Sequence, residues 1–128
     1  MNSQVKEKWV AALRSGEYQQ GTCRLRSNRG FCCLGVLTDL YAKEHNENWN
    51  YVDAYSEQNT KVEGGWCFDK ENQFLPSQVI DWAELENENP EVKILDEDGT
   101  LIQYDVLSYM NDMGKSFSII ADRIEKYL

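Results

Sequence analysis

Ser27-Asn28-Arg29-Gly30-Phe31-Cys32-Cys33-Leu34-Gly35-Val36-Leu37 holds the most informative change of pattern in this chain. Its first four residues have turn chemistry, because Asn and Gly tolerate positive φ. An unbroken apolar run follows, from Phe31 to Leu37. Leu34, Leu37, Leu40 and Tyr41 then continue at helical spacing. The run can begin as a strand returning from the turn and become a helix, and period alone does not fix the boundary.

Outward from this stretch, the reading is α+β. Val5, Trp9, Ala12 and Leu13 mark one face of a first helix, with Ser3 as its expected cap and Ser15-Gly16 as its end. Tyr18 to Arg26 reads as extended. Gly64 to Phe68 reads as a short strand. Pro76 and Ser77 open a helix carried by Val79, Ile80, Trp82 and Ala83. Asp96-Glu97-Asp98-Gly99 joins two strands, 92–95 and 100–104, as a hairpin. Residues 105–110 suit a short helix. Ser116 caps a last one striped by Phe117, Ile120, Ala121, Ile124 and Leu128. The expected fold is one domain over 1–128, with four or five helices packed on a small antiparallel sheet. The polar segment 45–63 is expected to be a long loop, although Trp49, Tyr51, Val52 and Tyr55 lie within it.

The expected core comprises Trp9, Leu13, Cys33, Leu34, Leu37, Leu40, Ile80, Trp82, Leu107, Phe117, Ile120 and Ile124. The 128 residues suffice for one core, and 41% of them are apolar. No apolar run approaches the ~20 residues that span a bilayer. The first eight residues lack the apolar stretch of a secretory signal. A cytoplasmic protein with no membrane partner is therefore expected.

The chain carries 13 Lys and Arg against 22 Asp and Glu, for a formal charge of −9. Such a surface repels phosphate backbones, so direct nucleic-acid binding is disfavoured. The distribution is uneven. Residues 1–40 hold six basic and three acidic groups, and four of the basic groups are Arg14, Arg24, Arg26 and Arg29. These arginines either pair with the surplus carboxylates or form a site for a phosphate or carboxylate, which the guanidinium fork fits.

Four cysteines, Cys23, Cys32, Cys33 and Cys67, lack the C-x2-4-C pairs of structural zinc. They read as buried thiols, and no metal or other cofactor is expected. His45, the single histidine, lies in a polar run and reads as a solvated residue at a helix end. Gly114-Lys115-Ser116 resembles the end of a phosphate loop, but Tyr109 stands where that loop needs glycine. Asp96 to Gly99 resembles the start of a calcium loop, with Gly99 fourth rather than sixth. Asn111-Asp112 reads as a helix connection. No catalytic residue emerges.

Three stretches together resemble a family of small, largely uncharacterised proteins encoded by bacteriophages and prophages. They are Trp9 to Gly21 (WVAALRSGEYQQG), Phe31 to Leu40 (FCCLGVLTDL) and Asn111 to Phe117 (NDMGKSF), the last followed by Ile120-Ala121 and Ile124-Glu125. Cys23 departs from the small residue, such as Gly, expected there. The resemblance implies a phage accessory protein acting in the bacterial cytoplasm, and implies no site residues.

Three functions follow as expectations. The first is a binding protein, serving phage counter-defence, that sequesters a small anionic, nucleotide-like ligand without turnover. Arg14, Arg24, Arg26 and Arg29 would grip the anion, and Tyr18 and Phe31 (with Trp66 near them) would stack on a base. The second is an acidic inhibitor that imitates nucleic acid and binds a host protein. The third is an enzyme acting on nucleotides. A homo-oligomer suits a small binding protein.

Overall fold

The computed structural model describes residues 1–128. The chain is α+β, with five helices and three two-stranded antiparallel sheets. Helix α1 (Ser3–Arg14) is capped by Asn2 rather than Ser3. The Asn2 Oδ1 accepts from the N–H groups of Gln4 and Val5 at 3.0 Å each. Ser3 is already inside the first turn. The expected extended segment 18–26 is mostly irregular, with one parallel bridge between Gln20 and Phe31. Strands β1 (Arg26–Ser27) and β2 (Gly30–Phe31) then form a minimal hairpin around the Asn28-Arg29 turn.

Helix α2 (Cys33–Glu44) begins one residue after β2 ends, with Cys32 as its cap. The Cys32 Sγ accepts from the Gly35 N–H at 3.4 Å. Nine of its twelve residues are buried, including Thr38 and Asp39. A helix covered on nearly every side is the centre of the domain. α1 crosses it, and the Trp9 indole N–H donates to the Cys33 carbonyl at 3.0 Å. Gly35 allows α2 to touch the preceding segment. A Cβ there would fall onto the Leu25 carbonyl, so larger residues are excluded.

The segment expected as a loop over 45–63 is instead the start of a hairpin. Strand β3 (Asn50–Tyr55) pairs with β4 (Lys61–Cys67). Its turn is closed by the Ser56 N–H on the Thr60 carbonyl at 2.8 Å and the Asn59 N–H on the Ser56 carbonyl at 2.8 Å. Nearly all of β3 is exposed, so no buried alternation marks it. The ladder and the edge-to-face pair Tyr51–Trp66, 5.2 Å between centroids, hold it instead.

Helix α3 (Ser77–Ala83) ends at Glu84, which has φ +54. Strands β5 (Glu91–Leu95) and β6 (Leu101–Val106) form the expected Asp-Gly hairpin. The Asp96 carboxylate accepts from the N–H groups of Asp98 and Thr100 at 2.9 Å each, so it caps its own turn. β6 runs directly into α4 (Leu107–Asp112), and Ser116 caps α5 (Phe117–Tyr127) through the Ile119 N–H. No helix is long and apolar enough to cross a membrane. Of the expected core residues, Leu40, Ile80 and Trp82 are half-buried at its margin, and the other nine are buried.

The core contains one fully buried amide, Asn111. Its Oδ1 accepts from the Cys33 N–H at 3.1 Å and from Gln20 Nε2 at 2.9 Å. Its Nδ2 donates to the Gly21 carbonyl at 2.8 Å and to Asp112 Oδ1 at 3.3 Å. Replacing Asn111 by Ala leaves the Cys33 N–H and the Gly21 carbonyl without this partner. The expected loss is about 2–6 kcal/mol of stability, from two buried groups at ~1–3 kcal/mol each. Urea unfolding of Asn111→Ala measures it, and a loss under about 1 kcal/mol contradicts this account.

Candidate functional site

The segment from Gln20 to Arg24 is suspended from the C-terminal third of the chain. Besides the Asn111 bonds, Gln20 Nε2 donates to the Lys115 carbonyl at 2.8 Å, and Gln20 Oε1 accepts from the Phe117 N–H at 3.2 Å. The Cys23 N–H donates to Asp112 Oδ1 at 2.8 Å. These bonds hold Gln20, Gly21, Thr22, Cys23 and Arg24 as one wall of an open cleft of about 420 Å³. Ser27 and Arg29 of the β1–β2 hairpin line it as well, as do Glu63 and Gly64 of β4.

The four arginines have three different environments. Arg14, at the end of α1, turns to α5 and away from the cleft. Its guanidinium binds Asp122 at 2.7 Å and Glu125 at 3.0 Å. Arg26 is half-buried among aromatic rings. Its guanidinium carbon lies 3.9 Å from the Trp66 centroid, 5.3 Å from that of Phe31 and 5.7 Å from that of Trp49. Cation–π attraction of roughly 0.5–2 kcal/mol fixes it there. Arg24 and Arg29 line the cleft, and neither has a carboxylate within ion-pair distance. The Arg24 guanidinium rests on β4 at Gly65, where a Cβ would displace it.

The rings expected to stack on a ligand are used inside the protein. The Tyr18 hydroxyl donates to Asp39 at 2.6 Å, and its ring meets Phe31 edge-on at 5.1 Å. Asp39 also accepts from the Trp49 indole at 3.0 Å and binds Lys43 at 3.2 Å. This carboxylate is buried yet fully partnered, as such a charge must be. Lys43 further donates to the Tyr18 hydroxyl oxygen at 3.2 Å. Burial, followed by the bond to Asp39, pushes the Tyr18 phenol up to about 12. Phe31 and Trp66 flank Arg26. None of Arg14, Tyr18, Arg26, Phe31 and Trp66 lines the cleft, so Arg24 and Arg29 are the expected site residues that meet there.

The cysteines divide in the same way. Cys32 and Cys33 are buried, and burial pushes the Cys32 thiol up to about 11 and the Cys33 thiol well above its ordinary value. Cys67 is half-buried. Cys23, expected to be buried, is exposed on the cleft wall with φ +66. The neighbouring polar residues provide the reason, since Gln20, Asn111 and Asp112 anchor this loop and leave its outer side to solvent. His45 is exposed at the end of α2 and stacks on Tyr41, with centroids 4.0 Å apart.

Glu63 and Thr22 of the lining had no motif to mark them, and Gln20 lay in the stretch Trp9 to Gly21 without being singled out. Glu63 sits at a bulge. Val52 faces Gly65 and Ala54 faces Val62, so Asp53 alone stands opposite Glu63 and Gly64. A bulge of this kind turns side chains out of the ladder. Asn28 of the β1–β2 turn donates to Glu63 Oε1 at 3.3 Å and fixes the carboxylate.

The whole chain, residues 1–128, matches a domain family of unknown function, DUF8296, and belongs to that family. No curated protein and no solved structure matches it.

Two outcomes follow from this geometry. A thiol-alkylating reagent on the native protein should modify Cys23 first, and Cys32 and Cys33 only after unfolding. Peptide mass spectrometry reads the order, and early labelling of Cys33 contradicts the packing. The raised phenol makes a signed contribution to stability. That contribution is intact below pH 10, the ordinary tyrosine value, and is lost as pH rises through about 12. The stability of wild type relative to Tyr18→Phe should therefore fall as pH rises from 10 to about 12, and parallel curves throughout contradict it.

Proposed function

We propose that this protein binds a small molecule carrying a phosphate or carboxylate in the cleft beside Arg24 and holds it without turnover. One observation carries the reading. In a chain of net charge −9, Arg24 and Arg29 share a polar cleft, and neither has a carboxylate partner. Lys8, Arg14, Lys43 and Lys61 have acidic partners and several other surface cations have none, so what sets Arg24 and Arg29 apart is that two free guanidiniums line one cleft. A guanidinium offers five donors in a rigid fork suited to two anionic oxygens. Thr22 and Arg24 add main-chain N–H groups that make no bond within the chain. Donors of this kind on a glycine-containing loop favour an anion.

Holding rather than turnover is supported by the lining. It offers one thiol, Cys23, and one carboxylate, Glu63, with no histidine beside the thiol to act as its base. In the phage setting implied by the sequence resemblance, such a protein would act by sequestering a small anionic signal in the host cytoplasm. A nucleotide is one such anion, though its base would find no free aromatic ring in the lining.

The test is calorimetric titration of wild type and the Arg24→Ala/Arg29→Ala double variant with AMP as probe. The expected loss is roughly 100-fold or more in affinity, from two charge-assisted contacts of ~1.5–3 kcal/mol each. The thermal midpoint should stay within a few degrees, because both side chains are exposed. AMP should be recovered intact after denaturation. Unchanged affinity in the double variant rejects the site, and release of a converted product rejects the absence of turnover.

A further inference from the structure

Glu63 is out of place in a cleft built for an anion alone. It shares the lining with Arg24 and Arg29, yet forms an ion pair with neither. Two features hold it there. The bulge opposite Asp53 takes it out of the regular β3–β4 ladder, and Asn28 donates to its Oε1 at 3.3 Å. Asn28 directly precedes Arg29 in the β1–β2 turn, so one turn carries both a free cation and the anchor of the carboxylate. Nearby Lys61 is engaged with Asp53 at 3.4 Å and leaves Glu63 without a counter-ion.

An ionised carboxylate accepts hydrogen bonds and donates none. Asn28 occupies one acceptor position on Oε1, and Oε2 has no partner in the chain. A phosphate brought close to it without an intervening donor would be repelled. A ligand with hydroxyl groups next to its phosphate turns the same carboxylate into an attractive contact. We infer that the cleft is specific for a phosphate flanked by hydroxyls, as in a sugar phosphate or the ribose phosphate of a nucleotide, with Arg24 and Arg29 on the phosphate and Glu63 accepting from the hydroxyls. This rests on the anion-binding reading of the cleft and adds a second pole to it. Glu63 is then the residue that rejects bare phosphate, since a site built to accept from a hydroxyl discriminates strongly against analogues lacking one.

The test titrates the full chain with inorganic phosphate, ribose 5-phosphate and AMP, using wild type, Glu63→Gln and Arg24→Ala/Arg29→Ala. Wild type should prefer ribose 5-phosphate over inorganic phosphate by about tenfold or more, the scale of a charged hydrogen bond. Glu63→Gln should bind ribose 5-phosphate more weakly and inorganic phosphate more tightly, so that the preference collapses. AMP binding like ribose 5-phosphate supports a sugar-phosphate ligand, and tighter AMP binding supports a nucleotide. A preference unchanged in Glu63→Gln, or wild-type affinity for inorganic phosphate equal to that for ribose 5-phosphate, overturns the role of Glu63 and leaves the arginine site standing. Absence of binding by all three probes, or full binding by the double arginine variant, overturns the anion-binding reading itself.

Discussion

The carboxamide of Asn111 is the constraint on which the loop, the central helix and the cleft all depend. Its oxygen takes the first N–H of α2, at Cys33, and the amide of Gln20. Its nitrogen holds the Gly21 carbonyl. A carboxamide offers two donor hydrogens and an acceptor oxygen on one planar group. Asp would lose the donor to Gly21, and Leu would leave both sides unmatched. Next to it, Asp112 takes the Cys23 N–H. Two consecutive residues of α4 therefore set the path of the segment that forms the cleft wall, about ninety positions away in sequence.

The arginines show how one residue type is divided by local geometry. Arg14 reaches two carboxylates one turn apart on α5, and its charge is spent on a helix–helix contact. Arg26 lies in β1, and Trp49, just before β3, and Trp66 of β4 pack around it. Its charge is stabilised by ring faces rather than by an anion. Arg24 and Arg29 flank Arg26 at positions where the chain turns outward, and both remain free. The aromatic residues are therefore indirect participants. Asp39 fixes Tyr18 and Trp49, these pack on Phe31, and that cluster positions the hairpin that presents Arg29.

The sequence made the helices and the β5–β6 hairpin legible because local rules decide them. α5 follows its apolar stripe and its serine cap, and the β5–β6 turn follows Asp-Gly. Of the β3–β4 hairpin only the end of β4 was legible, as the short strand expected at 64–68, because the rest is held by pairing across the strands. Tyr51, Val52 and Tyr55 remain exposed, so the pattern of burial that identifies a strand is missing. The site was legible only as a cluster of charge. Spacing along the chain could not separate Arg14 from Arg24, since the partners of Arg14 lie more than one hundred residues away. Glu63 left no signal, because a bulge is a property of two strands in register. Asn111 looked like turn chemistry because three of its four partners, Gln20, Gly21 and Cys33, are set by tertiary structure.

Cys23 joins these arguments. It adopts φ +66, in the left-handed region, where a Cβ costs roughly 1–2 kcal/mol relative to glycine. Glycine is the residue that this backbone favours. The conformation persists because the neighbouring bonds determine it on both sides. Asn111 holds the Gly21 carbonyl, Asp112 holds the Cys23 N–H, and the Leu25 N–H is donated to the Asn72 carbonyl at 2.8 Å. Between those anchors the chain must turn sharply, and the turn places Thr22 and Arg24 on the same side of the cleft. The strain at Cys23 is thus a consequence of making one wall from five consecutive residues while Leu25 stays in the core.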